Sequence, residues 1–224
     1  MIGPVAPRDT AGRPLLAAER QGNLIGFASA MWGDSGHYAQ PGSFGDAGGL
    51  VLKRDGEQIG DSWYPSGVFE VPAGEATYEL TQQVHKFGQP ARTWQRSREI
   101  QTSWTFRSKE DTAQYSQSLP ILFPAMSIPE DGMKTLAATD GQTIRLGVTG
   151  HAGYTPGALK SAALSYSYDG ENWTPAEVSE RRGIWTAVVD HAGAAGKPVS
   201  LKVELTDANG ASVTQTVVRA YDVR

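Results

Sequence analysis

The chain has no cysteine among its 224 residues. Disulfides, thiol nucleophiles and cysteine-ligated zinc are therefore excluded, and stability has to come from an ordinary packed core. Histidine is scarce. His37, His85, His151 and His191 are scattered, with no His-x-His or His-Glu-x-x-His spacing, so they read as loop or surface residues rather than metal ligands. No stretch approaches about 18 consecutive apolar residues, so no membrane-spanning helix is expected. Lys and Arg number 20 against 24 Asp and Glu; the net charge of −4 argues against a nucleic-acid partner. Met1 to Arg8 form no basic-then-apolar signal pattern. Glycine (26) and proline (13) are plentiful, and 39% apolar with 20% charged residues describes a folded, turn-rich chain rather than a disordered one.

The stretch from Val199 to Arg219 sets the pattern. Val199, Leu201, Val203 and Leu205 alternate with Ser200, Lys202, Glu204 and Thr206, which on a strand puts one apolar face opposite one wet face. Asp207-Ala208-Asn209-Gly210 supplies turn chemistry, and Ser212 to Arg219 returns as a β-branched strand. Such a hairpin needs a second sheet over its apolar face. The same solution repeats upstream. Leu50 to Arg54 and Glu57 to Gly60 flank Asp55-Gly56, a two-residue hairpin signal. Tyr78, Leu80, Gln82 and Val84 share one face of a strand over 77–86; Ile100, Thr102, Trp104 and Phe106 share the inward face of another over 98–107.

No stretch has a convincing helical period. Asn23 to Trp32 reads as one core strand, Gly33 to Gly49 as a Gly-rich loop, Leu119 to Pro124 as an extended strand, and Glu177 to Arg182 as a charged loop. Strands at this spacing indicate sandwiches. The expected fold is all-β, two tandem antiparallel β-sandwich domains. Residues 1–20, rich in Pro and Gly, form a linker or sheet-edge segment; 21–114 form the first domain and 115–224 the second, with the boundary in the polar stretch 108–118.

Several short motifs invite chemistry. Gly33-Asp34-Ser35-Gly36 resembles the nucleophile motif of chymotrypsin-like serine peptidases. There the base histidine precedes the serine, whereas here His37 follows it, so the segment reads as a loop. No Gly-x-Ser-x-Gly elbow occurs. Asp207 to Gly210 and Asp169 to Asn172 resemble calcium loops, but the twelfth position counted from Asp207 is Val218 instead of a bidentate Glu. Both read as hairpin turns, and Ser167 to Trp173 is close to an Asp-box, itself a hairpin signature. No cofactor is expected; a loop-bound structural calcium is the one ion the acidic loops could hold.

Lys86, Arg92, Arg96, Arg98, Arg107 and Lys109 gather around Trp94 and Trp104. Trp104 points inward by period. Trp94, Arg92, Arg96 and Arg98 are the candidate binding surface, where guanidinium and indole groups could hold an anionic polymer or a protein. The bland alternative is a solvated sheet face with arginine stems lying over apolar surface.

Leu52-Lys53-Arg54-Asp55-Gly56, Tyr64 to Gly74, Ala76 to Leu80, Thr102 to Ser108, Ser165 to Gly170, Trp173-Thr174-Pro175, Val199 to Val203 and Thr206 to Gly210 through Tyr221 form an ordered set. Together they resemble the region after the catalytic domain in large secreted subtilisin-like serine peptidases of actinobacteria. The resemblance implies a secreted parent with a Ser-His-Asp peptidase domain upstream as its partner, and accessory sandwiches of which the last is fibronectin type III- or immunoglobulin-like. No motif of the peptidase domain is present, so no catalytic residue carries over. The expectation is a non-catalytic, monomeric accessory region that supports or spaces the peptidase domain or presents substrate. The second expectation is an independent binding module for a cell-surface polysaccharide or protein.

Overall fold

A computed structural model describes residues 3–33, 46–87 and 95–224, which contain strands and no helix. The largest sheet has nine strands. Eight follow one another as Thr174–Pro175 (β15), Leu159–Ser167 (β14), Pro198–Asp207 (β18), Ser212–Val223 (β19), Glu99–Ser108 (β9), Ala76–Lys86 (β8), Asp46–Arg54 (β5) and Glu57–Ser62 (β6). The ninth, Thr135–Leu136 (β12), runs parallel to the end of β19; the neighbouring ladders are antiparallel.

Two four-stranded sheets accompany it. One is ordered Gln117–Ser118 (β10), Ala18–Gln21 (β2), Leu24–Ala28 (β3) and Ser66–Glu70 (β7). The other is ordered Phe123–Ser127 (β11), Gln142–Thr149 (β13), Ile184–Val189 (β17) and Glu177–Arg181 (β16). Gly3–Val5 (β1) pairs with Ala30–Gly33 (β4) as a separate two-stranded sheet.

The period-two rows lie where alternation puts them. Val199, Leu201, Val203 and Leu205 are buried, as are Tyr78, Leu80, Gln82 and Val84, and Ile100, Thr102, Trp104 and Phe106. Burial of one face of each strand by the packed sheets is the dominant favourable term. Trp104 of β9 lies where the layers meet. Its ring packs on Phe27 of β3 at 4.9 Å and on Phe123 of β11 at 5.9 Å, so both smaller sheets cover the same face of the large one.

Residue 115 lies in the connection between β9 and β10. The ladder continues past it, because β19 from the second half pairs with β9 from the first, Val213 opposite Trp104 and Thr214 opposite Ser103. Local periodicity cannot announce a pairing between segments more than a hundred residues apart.

Some boundaries differ from the sequence reading. The expected strand over 23–32 is broken at Ser29 into β3 and β4. Ser29 Oγ hydrogen-bonds the Gln82 side-chain oxygen in the core, at 3.0 Å. β5 begins at Asp46, inside the expected Gly-rich loop, where Gly48 and Gly49 let Met31, Pro65 and Ser62 approach. The run 119–122 is irregular, with Leu119, Ile121 and Leu122 buried, and the strand begins only at Phe123. The charged segment 177–181 is a strand rather than a loop: β16 pairs with β17 at the edge of its sheet, a place where charged side chains guard against further pairing. The Asp55-Gly56 turn has φ of +49° and +89°, the left-handed pair that a tight hairpin requires. At the corner between β6 and β7 the chain leaves the large sheet for a small one. There Phe69 fills the space that a Cβ on Gly60 would occupy, 2.7 Å from its Cδ1.

Candidate functional site

The arginine cluster forms at one end of the large sheet. β19 carries a bulge, so that Val199 and Leu201 of β18 face Tyr221 and Val217. Arg219 in this bulge has φ of +51°; its carbonyl accepts from the amide of Ser97, also at +51°, and its own amide donates to Ser200 Oγ. Two left-handed non-glycine residues thus hold each other beside the start of β9.

This geometry brings two guanidiniums to one carboxylate. Arg96 reaches Asp222 at 2.6 Å, and Arg219 reaches it at 2.8 and 3.2 Å. Burial alone would push the Asp222 carboxyl up. The hydrogen bonds and charges of Arg219 and Arg96 outweigh that and hold it below the ordinary value. Two cations against one anion leave a positive excess that is partly open to solvent.

Arg98 lies at the same end, but its Nε and Nη2 both donate to the Lys86 carbonyl, at 3.3 and 3.1 Å. Arg92 and Trp94 lie outside the described residues, as do Asp34, Ser35 and Gly36 of the Gly-Asp-Ser-Gly segment and the His37 that follows it. Arg219 was not singled out from the sequence: it sits 123 positions from Arg96, and only the β9–β19 ladder joins them. Trp104 is buried core, as its period indicated.

Other ionisable groups brace the fold. Arg20 is fully buried and donates to the carbonyls of Gly22 and Pro72, at 2.8 and 2.7 Å. Lys86 lies 2.9 Å from Asp46, both side chains buried, with its ammonium 4.6 Å from the centre of the Trp32 ring. His151 Nε2 lies 2.8 Å from Leu119 O, and Nδ1 lies 2.9 Å from the Ala152 carbonyl and 3.2 Å from the Ala17 amide, so the ring ties three segments together.

His191 is fully buried between two tyrosine hydroxyls, Tyr168 on Nδ1 and Tyr221 on Nε2, each at 2.8 Å. Tyr168 also donates to the Asp190 carbonyl at 3.2 Å, which leaves Nδ1 as the ring nitrogen carrying the proton and Nε2 as acceptor from Tyr221. Burial lowers the His191 pKa below the ordinary imidazole value, against the raising influence of Asp190 and Asp140.

The two acidic turns are closed by their own chain. Asp207 is fully buried; Oδ1 accepts from the amides of Asn209 and Ala211, and Oδ2 from Tyr154 Oη and the Gly157 amide. Asp169 accepts from the amides of Glu171 and Asn172, from the Asn172 side chain and from Ser167 Oγ, and these bonds lower its pKa. Both are hairpin turns. Among the described residues no group of three or more His, Asp or Glu is arranged to hold a metal ion.

One exposed feature was not singled out from the sequence. Trp63 and Tyr64 are 89% and 72% exposed on the turn between β6 and β7. The turn is pinned. Ser62 Oγ accepts from the Tyr64 amide at 3.1 Å and donates to Ser66 O at 2.9 Å, and buried Gln82 donates to Pro65 O at 2.9 Å. Past the turn, the outer face of β2, β3 and β7 forms a groove of about 300 Å³ lined by residues including Leu16, Glu19, Gly26, Ser66 and Val68. Glu19, Gly26 and Val68 stand in register across it. The signal was there to read, as two large aromatics side by side in a turn face solvent unless something covers them.

No protein-family model and no curated protein matches the chain.

Proposed function

We propose that the chain is a non-catalytic accessory β-sandwich region of a secreted subtilisin-like serine peptidase, supporting or spacing the peptidase domain or presenting substrate to it. The observation that carries this reading is how the buried ionisable groups are used. Arg20, His151, His191 and Asp207 each bind main-chain or hydroxyl groups and tie segments together. A histidine whose two ring nitrogens are both engaged by the fold is poorly placed to act as a base. The peptidase connection rests on the ordered set of strand-and-turn segments that resembles such accessory regions, and the immunoglobulin- or fibronectin-like type of the second half belongs to the same proposal.

Two measurements test it. The purified chain should show no peptide turnover that Ser35→Ala removes; any such turnover refutes the non-catalytic reading. A parent enzyme carrying this region should be secreted in higher yield, or inactivate more slowly on heating, than the same enzyme without it; equal yield and equal inactivation rates refute the accessory role.

A second reading, an independent binding module for a cell-surface polysaccharide or protein, is favoured by the pinned, exposed pair Trp63 and Tyr64 and by the positive excess at Arg96 and Arg219. Retention of the chain on cell-wall material tests it, with Trp63→Ala, Arg96→Ala and Trp94→Ala dissecting the surface.

A further inference from the structure

The groove on β2, β3 and β7 and the aromatic turn at its end differ in character from the arginine cluster. From them we infer a binding site for a neutral polysaccharide, an inference that rests on the binding-module reading. Three observations carry it.

The first is the display of the aromatics. Trp63 and Tyr64 present nearly their whole surface to solvent on a backbone held by Ser62, Pro65 and Gln82. A rigid turn loses little entropy on binding, and exposed ring faces suit the C–H faces of sugar rings. Two residues beyond Tyr64 the chain enters the groove at Ser66.

The second is the trench. Gly26 is the central residue of its row, and a Cβ added there meets nothing within 4 Å. Val68 on one side, 70% exposed, and Leu16 form apolar walls. At about 300 Å³ the groove lies at the small end of ligand-binding clefts.

The third is charge. The residues that line the groove include one carboxylate, Glu19, and no lysine or arginine. One Glu19 oxygen is held by Ser116 Oγ at 2.5 Å, which fixes the carboxylate as an acceptor for ligand hydroxyls. A polyanion or an anionic membrane surface would meet repulsion here, whereas an uncharged polyol donates to the carboxylate and lays its apolar face on the aromatics.

The experiment is native gel electrophoresis of the whole chain in gels cast with hydroxyethylcellulose, galactomannan or soluble starch, with polygalacturonate as the anionic comparison. At least one neutral polymer should retard the wild type. Trp63→Ala and Gly26→Leu should each weaken that retardation at least tenfold in apparent Kd. Trp63 is exposed and a side chain added at Gly26 meets open space, so the melting temperature should stay at the wild-type value and separate lost binding from lost folding. Arg181→Ala, at an exposed position on β16 of the other small sheet, should leave retardation unchanged.

Absence of retardation by every neutral polymer overturns the inference. So does retardation that Trp63→Ala and Gly26→Leu both leave intact. Retardation by polygalacturonate alone, abolished by Arg96→Ala, overturns this site while keeping the binding-module reading and moving it to the arginine cluster. No retention on any of these polymers or on whole cell-wall material removes both.

Discussion

The indole nitrogen of Trp104 donates to the main-chain oxygen of Leu122 across 2.6 Å. The donor sits in the middle of the largest sheet, and the acceptor lies in the buried, irregular run that leads into β11. Trp104 thereby combines a large apolar surface with a satisfied polar handle at the point where three sheets meet.

Trp104→Ala should destabilise the chain by about 3–5 kcal/mol, as large-to-small changes of buried aromatics do. Trp104→Phe keeps most of the volume but leaves the Leu122 carbonyl buried and unpaired, at a cost of about 1–3 kcal/mol. Urea denaturation followed by fluorescence of the remaining tryptophans measures both, and a Phe variant as stable as wild type would refute the importance of the hydrogen bond.

The β9–β19 ladder has a consequence for folding. Chains cut near residue 115 should not give two separately stable halves, because the cut leaves the Trp104 face and the inner edge of β19 uncovered. The intact chain should unfold in one transition. Differential scanning calorimetry with equal calorimetric and van't Hoff enthalpies supports this; two resolved transitions, or a soluble folded half, would contradict it.

His191 makes stability depend on pH in a definite direction. Its folded pKa lies below the ordinary imidazole value because burial between Tyr168, Tyr166 and Tyr221 disfavours the charged ring, in spite of Asp190 and Asp140. Between that lowered pKa and about 6.5 the unfolded chain binds more protons than the folded one, so stability increases with pH across this window. The full contribution is present above about 6.5 and is lost as pH falls below it. His191→Phe should flatten the slope of unfolding free energy between about pH 5 and 7. The lowered carboxyls of Asp169, Asp131, Asp9 and Asp222 act in the same sense only at lower pH, below the ordinary carboxylate range, and leave this window clear. A variant that keeps the wild-type slope would refute the assignment.

Asp207→Ala removes one buried acceptor pair from four donors and should cost at least about 3 kcal/mol. Tyr154→Phe removes one of those donors and should cost about 1–2 kcal/mol. Burial, together with the hydrogen bond to Asp207, pushes the Tyr154 hydroxyl up to about 12, so this bond persists across the ordinary pH range. Thermal unfolding at pH 7 orders the two variants, and a reversed order would show that Tyr154, not the aspartate, holds the turn.

How much of this could be read in advance depends on how local the signal is. Alternation along β18, β8 and β9 is a property of neighbouring residues, and the face it marked is the face that is buried. The Asp55-Gly56 turn is likewise local, since two consecutive left-handed residues are cheap only for a few side-chain types. The strand β16 reads as a loop in sequence because charge on an edge strand resembles charge in a loop, and periodicity does not distinguish them. Of the candidate surface, Arg96 and Arg98 do share one end of a sheet, yet each is already engaged, by Asp222 and by the Lys86 carbonyl.

The sequence by itself determined the all-β class, the inward rows and the tight hairpins, because side-chain period and turn chemistry act over two to four residues. Only the tertiary structure decided that β19 joins β9, that Trp104 lies beneath two sheets, that Arg219 shares Asp222 with Arg96, and that Trp63 and Tyr64 stand at the end of an open groove. Those relations depend on which distant strands exchange hydrogen bonds. That choice minimises buried unpaired backbone and exposed apolar surface over the whole chain at once, and no short window contains it.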